Sequence, residues 1–160
     1  MTDETYMRRA LELAEKGAGW VSPNPLVGAV IVKDEEIIGE GYHERYGQLH
    51  AERNALAACT ADPAGATMYV TLEPCPMCAG AILNARIRRV YYGARDEVMG
   101  ACGGVLNLFM EGFPRPPQLV GNVCGDECRD VLQTFFREVR EKNAENTNRS
   151  ADIVEDFTEF

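Results

Sequence analysis

At 160 residues and 46% hydrophobic composition, the chain is long enough to bury one substantial core and short for two domains. Its formal net charge of -9 argues against a polynucleotide partner, because phosphate backbones call for a basic face. No run approaches 18 consecutive apolar residues, and the opening Met1-Thr2-Asp3-Glu4 is acidic, so neither a membrane span nor an export signal is expected and the chain reads as cytoplasmic.

In chain order, Met7, Ala10, Leu11 and Ala14 recur at helical spacing and stop at Gly17, which predicts an amphipathic first helix. The period then changes. Leu26 to Lys33 is a β-branched run, Asp34-Glu35 turns it, and Glu36 to Gly41 returns, giving a hairpin. A helix is predicted from about His50 through Ala58, followed by the loop Asp62-Pro63-Ala64-Gly65. Thr67 to Leu72 reads as a strand, Pro76 to Ala85 as a helix with proline at its favoured first position, and Arg88 to Gly93 as a strand. A short helix around Val105 to Met110, a fifth strand near Leu119 to Val123 and a last helix from Asp126 to about Lys142 complete the pattern. This alternation predicts an α/β fold, a three-layer α/β/α sandwich around a mixed five-stranded sheet. Residues 1–142 form the expected domain. Residues 143–160 are polar and aperiodic and contribute -4 of the charge through five acids against Arg149, so they read as a disordered acidic tail.

Six cysteines without an export signal read as metal ligands or buried thiols rather than disulfides. His50-Ala51-Glu52 and Pro74-Cys75-Pro76-Met77-Cys78 offer one imidazole and two thiolates from the starts of two predicted helices. Three protein ligands leave the fourth tetrahedral position of a zinc ion open, which distinguishes a catalytic site from a structural one. The residues match the H-x-E and P-C-x-x-C signature of zinc nucleobase deaminases. That resemblance implies that His50, Cys75 and Cys78 hold Zn2+, which activates a water, while Glu52, not itself a ligand, carries protons to the ring and the leaving ammonia. The competing reading is a structural zinc in a binding module, which leaves Glu52 unexplained.

Other candidates carry less. Cys124 and Cys128 could form half a metal site but read better as buried thiols packing a helix on the sheet. Cys59 and Cys102 have no assigned role. Phe135 and Phe136 read as core rather than as a base-stacking platform. Arg86, Arg88, Arg89 and Arg95 lie close together in sequence and form the one cluster that could meet nucleic-acid phosphates.

Gly65 through Ile82, with Ala85-Arg86-Ile87-Arg88-Arg89-Val90, Tyr92-Gly93-Ala94, Asn107-Leu108 and Phe135-Phe136-Arg137, resembles the bacterial tRNA-specific adenosine deaminase family. The amino-terminal half is similar to another family. Ser22-Pro23-Asn24-Pro25-Leu26-Val27-Gly28, Gly39-Glu40-Gly41-Tyr42-His43 and Gly47-Gln48-Leu49-His50-Ala51-Glu52 resemble the deaminase domain of riboflavin-biosynthesis enzymes. There the positions matching Asn24 and His43 contact the ribosyl and phosphate parts of a small pyrimidine. The wobble deaminases usually carry asparagine where His43 stands, while the riboflavin enzymes have a longer, lysine-bearing loop between their zinc cysteines than Cys75-Pro76-Met77-Cys78.

Both resemblances imply a cytidine deaminase-like fold, the same zinc ligands and Glu52 in catalysis, with the Ala51 backbone amide on the substrate ring. The leading expectation is deamination of the wobble adenosine in a tRNA anticodon loop. The alternative is a small heterocyclic substrate, a free nucleoside, nucleotide or base contacted by Asn24 and His43. A homodimer is expected in either case.

Overall fold

In the computed structural model, the backbone is described for residues 1–157 and the side chains for residues 1–148. Five strands form one sheet in the order β2-β1-β3-β4-β5: β1 (Gly28–Lys33), β2 (Glu36–Tyr42), β3 (Thr67–Leu72), β4 (Arg89–Ala94) and β5 (Gln118–Val120). β1 is antiparallel to both β2 and β3, whereas β3, β4 and β5 are parallel, so the sheet is mixed as expected.

Alternation along the strands divides the core between two faces. Ala29, Ile31, Met68, Val70 and Val90 point to one face, where α2 (Ala51–Ala57) and α3 (Pro76–Ala85) pack with Ala51, Ala55, Ala79 and Ile82. Val30, Val32 and Tyr69 point to the other, covered by α1 (Asp3–Glu15) and α4 (Gly125–Phe157) through Met7, Ala10, Leu11 and Cys128. This is the three-layer sandwich the alternation predicts, and the sheet is buried on both sides.

Two glycines bring α2 down onto β2. A methyl group at Gly39 or Gly41 would collide with the backbone of Ala55, so only glycine permits an approach this close. The consequence is functional, since that approach carries His50, at the start of α2, to the sheet edge.

Departures from the sequence expectation fall at element ends. The short helix expected over 105–110 is a single 3₁₀ turn, Leu108–Met110, whose start is capped by Asn107 Oδ1 accepting from the Phe109 amide at 3.1 Å. The last helix, expected to end near Lys142 before a disordered tail, continues to Phe157. Loss of apolar periodicity marks where packing stops, and residues 141–148 are all exposed. It does not stop a helix, and no glycine or proline lies between 126 and 157 to do so. The last three residues of the expected tail lie outside the described residues, as do the side chains from 149 onward.

Candidate active site

All the chemistry predicted from sequence gathers at one end of the sheet. Because β1 runs against its neighbours, its amino end lies beside the carboxyl ends of β2 and β3, with Gly28 opposite Tyr42 and Ala29 opposite Val70. Asn24 precedes β1, His43 follows β2, Glu73 and Cys75 follow β3, and Asp96 follows β4. These segments, with the start of α2, enclose a cavity of about 270 Å³. Ligand sites beyond the carboxyl ends of strands are the general rule of open α/β sheets.

His50 and Cys75 occupy the extended positions immediately before α2 and α3. Cys78 lies one turn into α3 and is fully buried. The Nδ1 atom of His50 lies 3.7 Å from Cys75 Sγ and 3.5 Å from Cys78 Sγ, and the three potential ligand atoms lie within 4.8 Å of one another. A tetrahedral ion with Zn–S of about 2.3 Å and Zn–N of about 2.0–2.1 Å places its sulfur and nitrogen ligands roughly 3.5 Å apart, so the three residues fit zinc. Among the described residues no other group of three histidine, cysteine or acidic side chains is arranged this way. A hydrogen bond from the Cys78 thiol holds Cys75 down at about 5 and pushes Cys78 itself up. One proton is thus shared by two sulfurs, and a cation there would take its place.

Glu52 falls outside the ligand triad yet lines the cavity. It is 3% exposed, and burial, the largest influence on it, raises its pKa above the ordinary carboxylate range. Ala51, the first residue of α2, is fully buried and also lines the cavity. Its amide is among those a helix start leaves without an intrahelical partner.

Asn24 and His43 meet in the same wall. His43, 3% exposed, has Nδ1 3.0 Å from the Leu49 carbonyl and Nε2 3.1 Å from Asn24 Nδ2. A carbonyl only accepts, so Nδ1 carries the hydrogen and Nε2 accepts from the Asn24 amide. Asn24, His43, His50, Ala51, Glu52 and Cys75 therefore line one cavity, with the buried Cys78 sulfur close to His50 behind it.

Residues that the sequence reading passes over also shape the cavity. Glu73, Asp96 and Met99 are part of the lining. Glu73 is 2% exposed, and its Oε2 accepts from the Gly104 amide at 3.0 Å, which draws the 96–104 loop against the turn bearing Cys75. An acid closing an apolar strand immediately before a metal-ligand turn was the available signal.

The arginine group, by contrast, is divided. Arg89 opens β4, with Arg86 and Arg88 just before it, while Arg95 follows its end. Six strand residues at about 3.3 Å each separate the two ends by roughly 20 Å, so Arg86, Arg88 and Arg89 lie at the end of the sheet away from the cavity. Arg95 lies at the cavity end, with its guanidinium donating to the Gly103 carbonyl at 3.0 Å. Of the remaining cysteines, Cys102 and Cys128 are buried, while Cys59 and Cys124 are only partly so; burial raises all four and takes Cys102 and Cys128 to about 12. Phe135 is buried and Phe136 packs edge-on against it in a small core with Val21 and Leu26.

Comparison with known proteins agrees with this geometry. Residues 1–94 match the family described as the cytidine and deoxycytidylate deaminase zinc-binding region. A diaminohydroxyphosphoribosylamino-pyrimidine deaminase of Buchnera aphidicola is 43% identical over 147 residues, covering 88% of this chain and 97% of that protein. The tRNA-specific adenosine deaminase of Bacillus subtilis is 40% identical over 152 residues, covering 88% and 92%. The crystal structure of a Thermotoga maritima diaminohydroxyphosphoribosylaminopyrimidine deaminase/reductase superposes with a TM-score of 0.73 at 39% identity, over 88% of this chain and 42% of that one. The chain spans about two fifths or less of the length of several riboflavin-biosynthesis proteins that it matches. A zinc-fitting His-Cys-Cys triad, an open cavity and a match over residues 1–94 lead to one assignment: the chain belongs to the zinc-binding cytidine and deoxycytidylate deaminase family.

Proposed function

We propose that this protein hydrolytically deaminates a small aminopyrimidine bearing a phosphoribosyl group, the substrate type in the name of the Buchnera relative. The observation that carries this reading is the Asn24–His43 pair. A buried imidazole whose tautomer is set by Leu49, and whose second nitrogen orients an asparagine amide in the cavity wall, is a built recognition element. It leaves the asparagine carbonyl oxygen available to a donor on the substrate.

His50, Cys75 and Cys78 would hold zinc, and the chemistry a bound zinc supplies is Lewis acidity, which makes water nucleophilic near neutral pH. The chain's own residues do the rest. Glu52 accepts a proton from the attacking water as the water oxygen bonds to the amino-bearing ring carbon and passes it to the adjacent ring nitrogen; it then takes the proton of the new hydroxyl and delivers it to the amine, which leaves as ammonia when the carbon–nitrogen bond breaks. Its raised pKa suits a group that must both take and give a proton. The Ala51 amide donates to the ring and holds it in register. The protein acts as a cytoplasmic homodimer.

A second reading, deamination of wobble adenosine in tRNA, draws support from the 40% identity across 92% of the Bacillus subtilis enzyme and from the short Cys75–Cys78 spacing. Against it stands the distance of Arg86, Arg88 and Arg89 from the cavity of the same subunit. Ammonia release from the phosphoribosylaminopyrimidine, from free nucleosides and from an adenosine-containing anticodon stem-loop separates the readings. The first should be the best substrate, and a clear preference for the stem-loop would overturn the small-molecule proposal.

A further inference from the structure

A depression of about 470 Å³ lies at the end of the sheet opposite the catalytic cavity, between the loop ahead of β3, the turn from α3 into β4 and the segment leading into β5. Three arginines line it, Arg86, Arg88 and Arg115. Backbone hydrogen bonds fix its frame. The Gly65 amide donates to the Arg86 carbonyl at 2.9 Å, the Arg88 amide to the Ala66 carbonyl at 2.8 Å, and the Gln118 amide to the Arg88 carbonyl at 2.9 Å, so the segments that carry the arginines are held in a set relation.

Among the described residues, the three guanidiniums make neither a hydrogen bond nor an ion pair, so three like charges meet without a counter-charge. Asp62, the acid nearest in sequence to the lining loop, has its Oδ1 engaged by the Ala64 amide at 3.0 Å. Helix electrostatics accounts for part of the cluster, because Arg86 caps α3 and cations are favoured at a helix carboxyl end. It does not account for Arg115, which belongs to the segment before β5. The backbone adds a second observation. Arg86 and Arg115 both adopt left-handed conformations, with φ of 58° and 55°, where glycine is the favoured residue and a side chain carries a steric cost. Arginine stands at both positions, and both line the same depression.

We propose that this depression is an anion site, separate from the catalytic cavity, that takes a small compound bearing a diphosphate group. Each guanidinium presents two parallel N–H groups to phosphoryl oxygens. Two adjacent phosphoryl groups offer oxygens and charge for three such forks, which a single phosphate serves less completely. A long nucleic acid would run past the depression over a molecule of net charge -9, whereas a small anion meets the local field alone. The site stands whichever ring the catalytic cavity takes.

The test titrates pyrophosphate and orthophosphate calorimetrically into the full-length, zinc-loaded protein at physiological ionic strength. The wild type should bind pyrophosphate saturably and about 10-fold more tightly than orthophosphate, as an added charged fork predicts. Arg88→Ala and Arg115→Ala should each weaken pyrophosphate by about 10- to 100-fold, the range of a hydrogen bond to a charged group, with zinc content and ammonia release unchanged. Arg86→Gly should weaken it likewise, and because glycine suits the left-handed position, that loss cannot arise from misfolding. No saturable binding by the wild type would overturn the site. Equal binding by wild type and variants, the result expected if pyrophosphate were held by the zinc itself, would overturn it too. Orthophosphate bound as tightly as pyrophosphate would overturn the diphosphate assignment. A tRNA that displaced pyrophosphate and lost affinity in the same three variants would assign the surface to nucleic acid and overturn the small ligand.

Discussion

His43 Nε2 lies 3.1 Å from Asn24 Nδ2 while its Nδ1 lies 3.0 Å from the Leu49 carbonyl, so one ring joins the segment before β1 to the loop before α2. Asparagine at position 43 has a shorter side chain that cannot span both contacts. His43→Asn and Asn24→Ala should therefore each lower kcat/KM for the small pyrimidine by about 10- to 100-fold, the range of a lost hydrogen bond in a buried polar pair, while zinc content stays near one per chain. Steady-state kinetics with metal analysis checks this, and wild-type kinetics in both variants would remove the pair from substrate recognition.

Glu52 lines the cavity without joining the ligand triad. Glu52→Ala should retain zinc and lose about 10²- to 10⁴-fold in turnover, the usual contribution of general acid–base catalysis. Zinc stoichiometry and ammonia release on the same preparation decide the matter, and normal turnover would mean that another group moves the proton.

Burial raises the Glu52 pKa in the metal-free fold, so the protonated side chain is the favoured buried form and ionisation works against folding. The effect is absent below the unfolded carboxylate pKa and grows as pH rises through the folded one. In metal-free protein, Glu52→Gln should thus raise Tm at pH 8 and do so much less near pH 4. A Tm difference that does not vary with pH would contradict this.

The Cys75 thiolate is present above about 5 and protonated below it. Because ligands bind zinc in their deprotonated form, metal should be retained at pH 7 and released as strong acidification protonates the ligands. Cys75→Ala and Cys78→Ala should lose zinc already at pH 7. A chromogenic chelator follows both, and retention of zinc through strong acidification would be inconsistent with the assigned ligands.

A homodimer predicts a light-scattering mass near twice the 17.7 kDa of one chain. The segment 105–113 exposes Val105, Leu106, Met110 and Phe113, apolar side chains of the kind that subunit contacts cover. A mass of one chain at micromolar concentration would refute the dimer.

Sequence alone determined the metal triad, the glutamate and the order of elements, because each is a local property. His-x-Glu and Cys-x-x-Cys spacings put their side chains on single helix starts, and a period of two or 3.6 states which face is buried. What it could not determine is which elements share an end of the sheet. That followed from β1 running antiparallel to β2 and β3, which brings Asn24, His43 and Glu73 to one wall. The same topology also fixes which end of β4 is the cavity end, and so leaves Arg95 beside the cavity and Arg88 away from it. Nor could periodicity locate the end of α4, since packing ends where apolar residues end but backbone hydrogen bonding continues until a residue interrupts it. Strand direction is fixed by long-range pairing, and it decided which sequence-identified groups meet in the site.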